Sequence, residues 1–227
     1  MNGILEKIKT RGFWTVRMHP VGFNKDRITM LSDLVEAVSK CAIELRGWDF
    51  PHFDYKSSPI RTADYVEQNL DWQHHVEIWR AYKSGQFVSI SALWVDWRDQ
   101  SGLWPAPSGW APGFTLSVED AVFHLVEIFE FAARWGRVAD MGNEMIVECK
   151  MQGLKDRTLE IGRGRAGFGY HHTASVEEWV WKRKYPNAVL FSASRELAIE
   201  PAINLFRFFE WDTSKDDIVG IQKELRA

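Results

Sequence analysis

Residues 74–97, HHVEIWRAYKSGQFVSISALWVDW, constrain the fold of this chain more than any other stretch. Two runs rich in β-branched and aromatic residues flank Lys83-Ser84-Gly85-Gln86, and a glycine in so short a connection predicts a β-hairpin. Upstream, Trp14, Val16 and Met18 alternate with Thr15, Arg17 and His19, the period of a strand over 12–20. AIELRGW at 42–48 reads as a further strand. MIVECKMQG at 145–153 and RTLEIG at 157–162 read as a second hairpin.

Helical signals interrupt these strands. A helix is expected from Ser32 as N-cap, with Leu31, Leu34, Val35 and Val38 on one face. A longer one opens at Ser117, with Glu119 and Asp120 in its first turn, and runs to about Arg134. Another is expected over about 194–209, kinked or restarted at Pro201, followed by a short charged helix at 216–225. Residues 1–11 read as an N-terminal arm or short helix. The proline- and glycine-rich 98–113 cannot be regular, and 175–185 stays ambiguous. The expectation is one α+β domain over 1–227, a mainly antiparallel sheet built from hairpins with several helices packed on it and C-terminal helices at 194–227. Strands do not alternate regularly with helices, which argues against a doubly wound sheet.

Composition narrows the function classes. With 28 Lys and Arg against 31 Asp and Glu the chain has no global basic footprint for nucleic acid, so any such contact must be local. The two cysteines, Cys41 and Cys149, form neither a disulfide framework nor a CxxC pattern. Glu6, Lys7 and Lys9 break the apolar core a signal peptide needs, and His124, Glu127 and Glu130 break the most apolar segment, 121–135. A cytoplasmic protein with no membrane partner is expected. Its 12 tryptophans are scattered from Trp14 to Trp211, which favours core packing over a continuous stacking surface for bases or sugars.

Three constellations have the residue types for chemistry. The first is RGWDFPHFD at 46–54 with the adjoining hairpin: Arg46, Trp48, Asp49, His52, His75, Glu77, Trp79 and Arg80 concentrate polar and aromatic groups around one strand end. His75 and Glu77 share a strand face, whereas His74 and His75 point oppositely, so no metal-ligand spacing emerges and no metal is assigned. The second is Glu148-Cys149-Lys150 with Asp140. A carboxylate, a spacer and a lysine on an apolar strand match the PD-(D/E)xK pattern, in which carboxylates hold Mg²⁺ and the lysine steadies water or phosphate. Met145, Val147, Cys149 and Met151 would equally make Glu148 and Lys150 the solvated face of an amphipathic strand. The third is a basic region: Arg163 and Arg165 in a glycine-rich loop, with Lys182, Arg183 and Lys184. That loop matches GxGxxG but lacks the helix a dinucleotide site requires.

Four phrases taken together, RGWDFPHFDY (46–55), DWQHHVEIWRAYKSGQF (71–87), DWRDQSGLWPAP (96–107) and EIFEFAAR (127–134), resemble a family of bacterial proteins with no assigned activity. The resemblance implies a bacterial origin and carries over no catalytic residue. Accessory or sensing roles, such as those in antiviral defence, are what it implies by analogy. The expectation is therefore a protein that binds another protein or a small ligand around Arg46, His52 and His75, without chemistry or cofactor of its own. The alternatives are a Mg²⁺-dependent nuclease using Asp140, Glu148 and Lys150, and a nucleic-acid binder using the 150–184 basic region.

Overall fold

A computed structural model describes residues 2–54, 56–102, 106, 108–138, 141–162 and 170–225. Helix α1 (Asn2–Lys9) leads into β1 (Phe13–Pro20), and α2 (Leu31–Cys41) follows. A tight reversal pairs β2 (Ile43–Glu44) with β3 (Asp49–Phe50). Strands β4 (Ile60–Arg61), β5 (Tyr65–Trp72), β6 (His75–Tyr82) and β7 (Phe87–Ala92) form an antiparallel meander. A 3-10 helix (Trp94–Gln100), β8 (Thr115–Ser117) and α3 (Val118–Trp135) come next. After them run β9 (Glu144–Gln152), β10 (Thr158–Glu160), β11 (Glu178–Pro186), α4 (Asn187–Leu197), α5 (Ile199–Arg207) and α6 (Lys215–Gln222).

The expected α+β class is what the chain adopts. Seven strands in the order β11-β9-β1-β7-β6-β5-β4 make one sheet, antiparallel at every pairing. The hairpin predicted at 83–86 is present: Tyr82 N–H donates to the Gln86 carbonyl at 2.8 Å and Gly85 N–H to the Tyr82 carbonyl at 2.9 Å. Gly85 adopts φ +84°, and a Cβ there would stand 2.6 Å from Met141 Sδ, so the turn demands glycine for backbone and for space.

Helix α3 lies across one face of the sheet and touches α2, α4, α5 and α6, which is why it is buried nearly all round. Its start reads as predicted, with the Ser117 hydroxyl accepting from the Asp120 N–H at 3.2 Å. On the opposite face of the sheet, Ile8 of α1 closes a second, smaller cluster over Phe13, Val76, Ile78 and Trp97. The N-terminal segment is thus a packed helix. Six tryptophans among the described residues belong to the core: Trp14, Trp79, Trp97, Trp135, Trp179 and Trp181 are buried. The indole N–H groups of Trp79, Trp135 and Trp179 reach the His52 carbonyl, the Gly85 carbonyl and Asn204 Oδ1 at 2.7, 2.9 and 2.9 Å.

Several local expectations are corrected. Strand 42–48 shrinks to Ile43–Glu44, because Gly47 takes φ +76° and the chain doubles back to β3. Helix α2 is capped by extended Met30 with no side-chain bond, in place of Ser32. Segments 145–153 and 157–162 do not pair with each other. Strand β9, whose Met145, Val147, Cys149 and Met151 are all buried, lies between β1 and β11, while β10 pairs in parallel with β8. The ambiguous 175–185 contains the edge strand β11, with Trp179, Trp181 and Tyr185 turned inward. The C-terminal helices begin at Asn187, seven residues before the predicted 194, and α5 accommodates Pro201 in its first turn, where its missing N–H leaves no bond unmade. No helix among the described residues is long and apolar enough to cross a membrane.

A buried ion pair fastens these parts together. Arg157 Nη1 donates to Asp96 Oδ1 at 2.8 Å and to the Thr115 carbonyl at 2.9 Å. The same carboxylate accepts from Gly12 N–H and Gly113 N–H, each at 2.9 Å. The start of β1, the 3-10 helix, the loop before β8 and the segment before β10 thereby meet at two side chains that are each 1% exposed.

Candidate functional site

Strand register builds the floor of a pocket. Leu70, Glu77, Ser91, Trp14, Met151 and Trp179 are successive cross-strand partners across five pairings, and all lie in one row on the face that α3 covers. Glu77 is the one carboxylate in that row. The next pair along the hairpin, Trp72 and His75, extends the same face toward solvent.

Helix α3 and the β2–β3 reversal make the roof. Asp120, His124 and Glu127 occur at helical spacing on the face of α3 toward the sheet, and the reversal carries Arg46, Trp48 and Asp49 against them. Arg46 is clamped: Nε and Nη2 donate to the two Glu127 oxygens at 2.8 and 2.6 Å, and Nη1 to Asp120 at 3.1 Å. Trp94 donates its indole N–H to the other Asp120 oxygen. His124 Nδ1 lies 3.3 Å from Glu127 Oε2. Asp49 holds His52 Nδ1 and accepts from Phe53 N–H at 3.1 Å.

Between floor and roof is a cavity of about 610 Å³. One wall is a set of nearly parallel rings. Trp48 lies 3.8 Å from His75 at 11° and 5.6 Å from Trp72 at 3°, and His52 also stacks on Trp48 at 4.2 Å. Trp72 is 46% exposed, so this wall reaches the surface.

Burial sets the protonation of the site. It pushes Glu77 up to about 7, against the lowering effect of the Ser89 hydroxyl at 2.9 Å and the His52 N–H at 3.3 Å. It pushes His75 down to about 3, helped by His74, His52 and Arg46, so this imidazole is neutral at physiological pH. His74 is lowered by burial as well. Burial raises the Glu127 carboxyl, but Arg46 and His124 outweigh it and hold this group below the ordinary carboxylate range.

Of the residues singled out from the sequence, Arg46, Trp48, Asp49, His75 and Glu77 line this cavity, and His52 adjoins it through Trp48 and Asp49. Two do not line it. Trp79 is buried in the core against Phe53 and Phe87, and Arg80, one position out of phase on β6, points to the other face of the sheet and pairs with Glu67. Residues missed from the sequence are Asp120, His124 and Glu127, together with Trp72 and Trp94, and His74, expected to point away from His75, instead lines the cavity beside it with ring centroids 4.2 Å apart. The first three carry a signal, a polar stripe at i, i+4 and i+7 on an otherwise apolar helix.

The other two constellations come apart. Asp140 lies outside the described residues. Glu148 and Lys150 share the outward face of β9, 3.6 Å apart, and Glu148 also pairs with Lys182 at 3.0 Å. Burial raises the Glu148 carboxyl, but Lys182, Lys150 and Arg17 outweigh it and keep it below its ordinary value. Among the described residues no cluster of three His, Cys, Asp or Glu side chains could hold a metal ion. Arg163 and Arg165 of the basic region also lie outside the described residues. Lys182 and Lys184 point to one face of β11 and Arg183 to the other, paired with Glu148, Glu144 and Glu200 respectively.

Comparison with protein-family models, with curated proteins and with solved structures yields no match.

Proposed function

We propose that this chain is a ligand-binding protein without catalytic chemistry, in which the cavity between α3 and the β5–β6 hairpin receives a small molecule. The observation that carries this reading is the cavity itself. Its volume of about 610 Å³ falls in the range of about 300–1,000 Å³ usual for ligand sites, and its walls combine aromatic rings with a few placed polar groups. Five of the eight site residues named from the sequence converge on it. Both cysteines are buried and burial raises both thiols, Cys41 to about 12, so neither is primed as a nucleophile. Glu77 is the group best tuned for proton transfer, but each of its oxygens is already held, by Ser89 and by the His52 N–H. The two free thiols suit a reducing cytoplasm, and an accessory or sensing role fits a protein that binds without turnover.

The test is a thermal-melting screen of the full chain against planar heterocycles such as adenine, cytosine and indole. A ligand at a hundred times its Kd stabilises the folded state by about 2.7 kcal/mol. At least one compound should raise the midpoint of the wild type and leave that of Trp48→Ala or His75→Leu unmoved. A midpoint that no compound shifts, or a shift equal in all three proteins, overturns the reading. Arg46→Ala is a poor probe, because it strands the Glu127 carboxylate in a site where Glu127 is 2% exposed.

A further inference from the structure

The seven-stranded sheet ends on two unlike edges. At one, β4 is two residues long, Ile60–Arg61. At the other, β11 runs for nine residues, Glu178–Pro186, and pairs only with β9. The hydrogen bonds flanking that pairing give its phase. Leu154 N–H donates to the Glu177 carbonyl at 3.0 Å and Asn187 N–H to the Asn143 carbonyl at 2.8 Å. Odd-numbered residues of β11 therefore turn their backbone groups toward β9, and Glu178, Val180, Lys182 and Lys184 turn theirs outward. Among the described residues no hydrogen bond reaches those outward N–H and C=O groups, and all four residues are exposed. An open edge of this length is a template for another strand.

The strand that fits this edge best is a second copy of β11. In an antiparallel pairing with its two-fold axis at Trp181, Glu178 faces Lys184 of the partner subunit and Val180 faces Lys182 of the partner subunit, each twice. All four outward residues then meet outward residues, and each of the four facing pairs exchanges two backbone bonds, about eight in all. Moving the axis along the strand leaves three such pairs or fewer. An axis at Lys182 sets that lysine against itself, and one at Arg183 sets Lys182 against Lys184, like charges that destabilise a cross-strand pair. Lysines on an edge commonly deter pairing; here they penalise the wrong registers and suit this one. Glu178 makes no ion pair among the described residues, whereas Lys182 and Lys184 lie 3.0 and 2.9 Å from Glu148 and Glu144 on their own sheet. Apolar surface adjoins the same edge. Val180 is 44% exposed, and α4, which packs against β11, exposes Val189 and Phe191 at 40 and 55%.

We infer that this chain self-associates through β11, joining two seven-stranded sheets into one continuous antiparallel sheet across a two-fold axis at Trp181. Backbone bonds and the apolar margin supply the affinity, and the charges choose the register. Sedimentation of the full chain over a concentration series tests this, and the wild type approaches twice the mass of the chain as concentration rises. Val180→Pro removes one outward N–H and spares the bonds to β9, as a proline on a sheet edge can, and it weakens self-association at least tenfold. Glu178→Lys sets like charges opposite each other and weakens it by a similar factor, and adding Lys184→Glu to that variant restores the dimer. Should Val180→Pro fail to fold, as judged by its melting transition, the charge exchange carries the test. A wild type that stays monomeric up to its solubility limit overturns the inference. So does a dimer that neither single variant weakens, or a double charge variant that stays monomeric.

Discussion

Glu77 and His75, two residues apart on β6, hold their protons in opposite senses, because burial favours the neutral form of each. The Glu77 carboxyl is raised from 4.5 to about 7, so the folded chain retains a proton that the unfolded chain releases. Its contribution to stability is complete below about pH 4.5 and is lost as pH rises through about 7. His75 is lowered from 6.5 to about 3, so its contribution is complete above 6.5 and is lost as pH falls toward 3. Between pH 4.5 and 6.5 the two slopes oppose and nearly cancel. Glu77→Gln removes one of the two slopes and can keep both contacts, its amide oxygen accepting from the His52 N–H and its NH2 donating to the Ser89 hydroxyl. It should stabilise the protein at pH 8 by on the order of 3 kcal/mol, at 1.36 kcal/mol for each tenfold in proton affinity, and make acidification below pH 6 more damaging than in wild type. Melting midpoints of both proteins from pH 4 to 8 check this, and parallel profiles would count against it. Reading His75 and Glu77 as one face of a strand was possible from spacing alone. That burial would neutralise both was not, because it depends on α3 and the β2–β3 reversal closing over them.

At the scale of elements, the β6–β7 hairpin was legible as far as Ala92, because its turn is encoded locally by Gly85 and its strands by β-prone runs on either side, but the run expected to continue to Trp97 turns into the 3-10 helix from Trp94. Gly85→Ala tests that encoding. The left-handed backbone costs a residue with Cβ about 1–2 kcal/mol, and contact with Met141 Sδ adds to it. The expected loss of more than 1 kcal/mol is read from the urea midpoint, and an unchanged midpoint would show that the turn does not need glycine. The supposed second hairpin misled for the complementary reason. Strands 145–153 and 157–162 are neighbours in sequence, but pairing is decided by which apolar face needs covering. Strand β9 is apolar enough to demand a neighbour on each side and finds β1 and β11. Helix α3 shows a third case: its apolar periodicity predicted a helix, whereas its exceptions, Asp120, His124 and Glu127, line the cavity and were not read as a site from the sequence.

Over the whole molecule, the Asp96–Arg157 pair joins segments from both halves of the chain, and no local pattern announces it. Removing one partner of such a pair costs about 3–5 kcal/mol, because the other charge stays buried, whereas replacing both by apolar side chains is often close to neutral. Asp96→Asn should therefore lower the unfolding free energy by on the order of 4 kcal/mol, and Asp96→Leu with Arg157→Met should not recover it, because the Gly12 and Gly113 N–H groups and the Thr115 carbonyl then lose their partners. Denaturant titration of the three proteins tests both statements, and an Asp96→Asn variant as stable as wild type would refute the role given to the pair. By itself the sequence determined the α+β class, the hairpin and the start of α3, because caps, turns and periodicity act over a few residues. Only the tertiary structure decided that Arg80 faces away, that Trp79 is core, and that Arg46 is spent on Glu127 and Asp120. It also decided that His74 Nδ1 and His124 Nε2 are buried without partners. Those outcomes depend on contacts between residues up to 81 positions apart, whose geometry is set by strand register and helix packing.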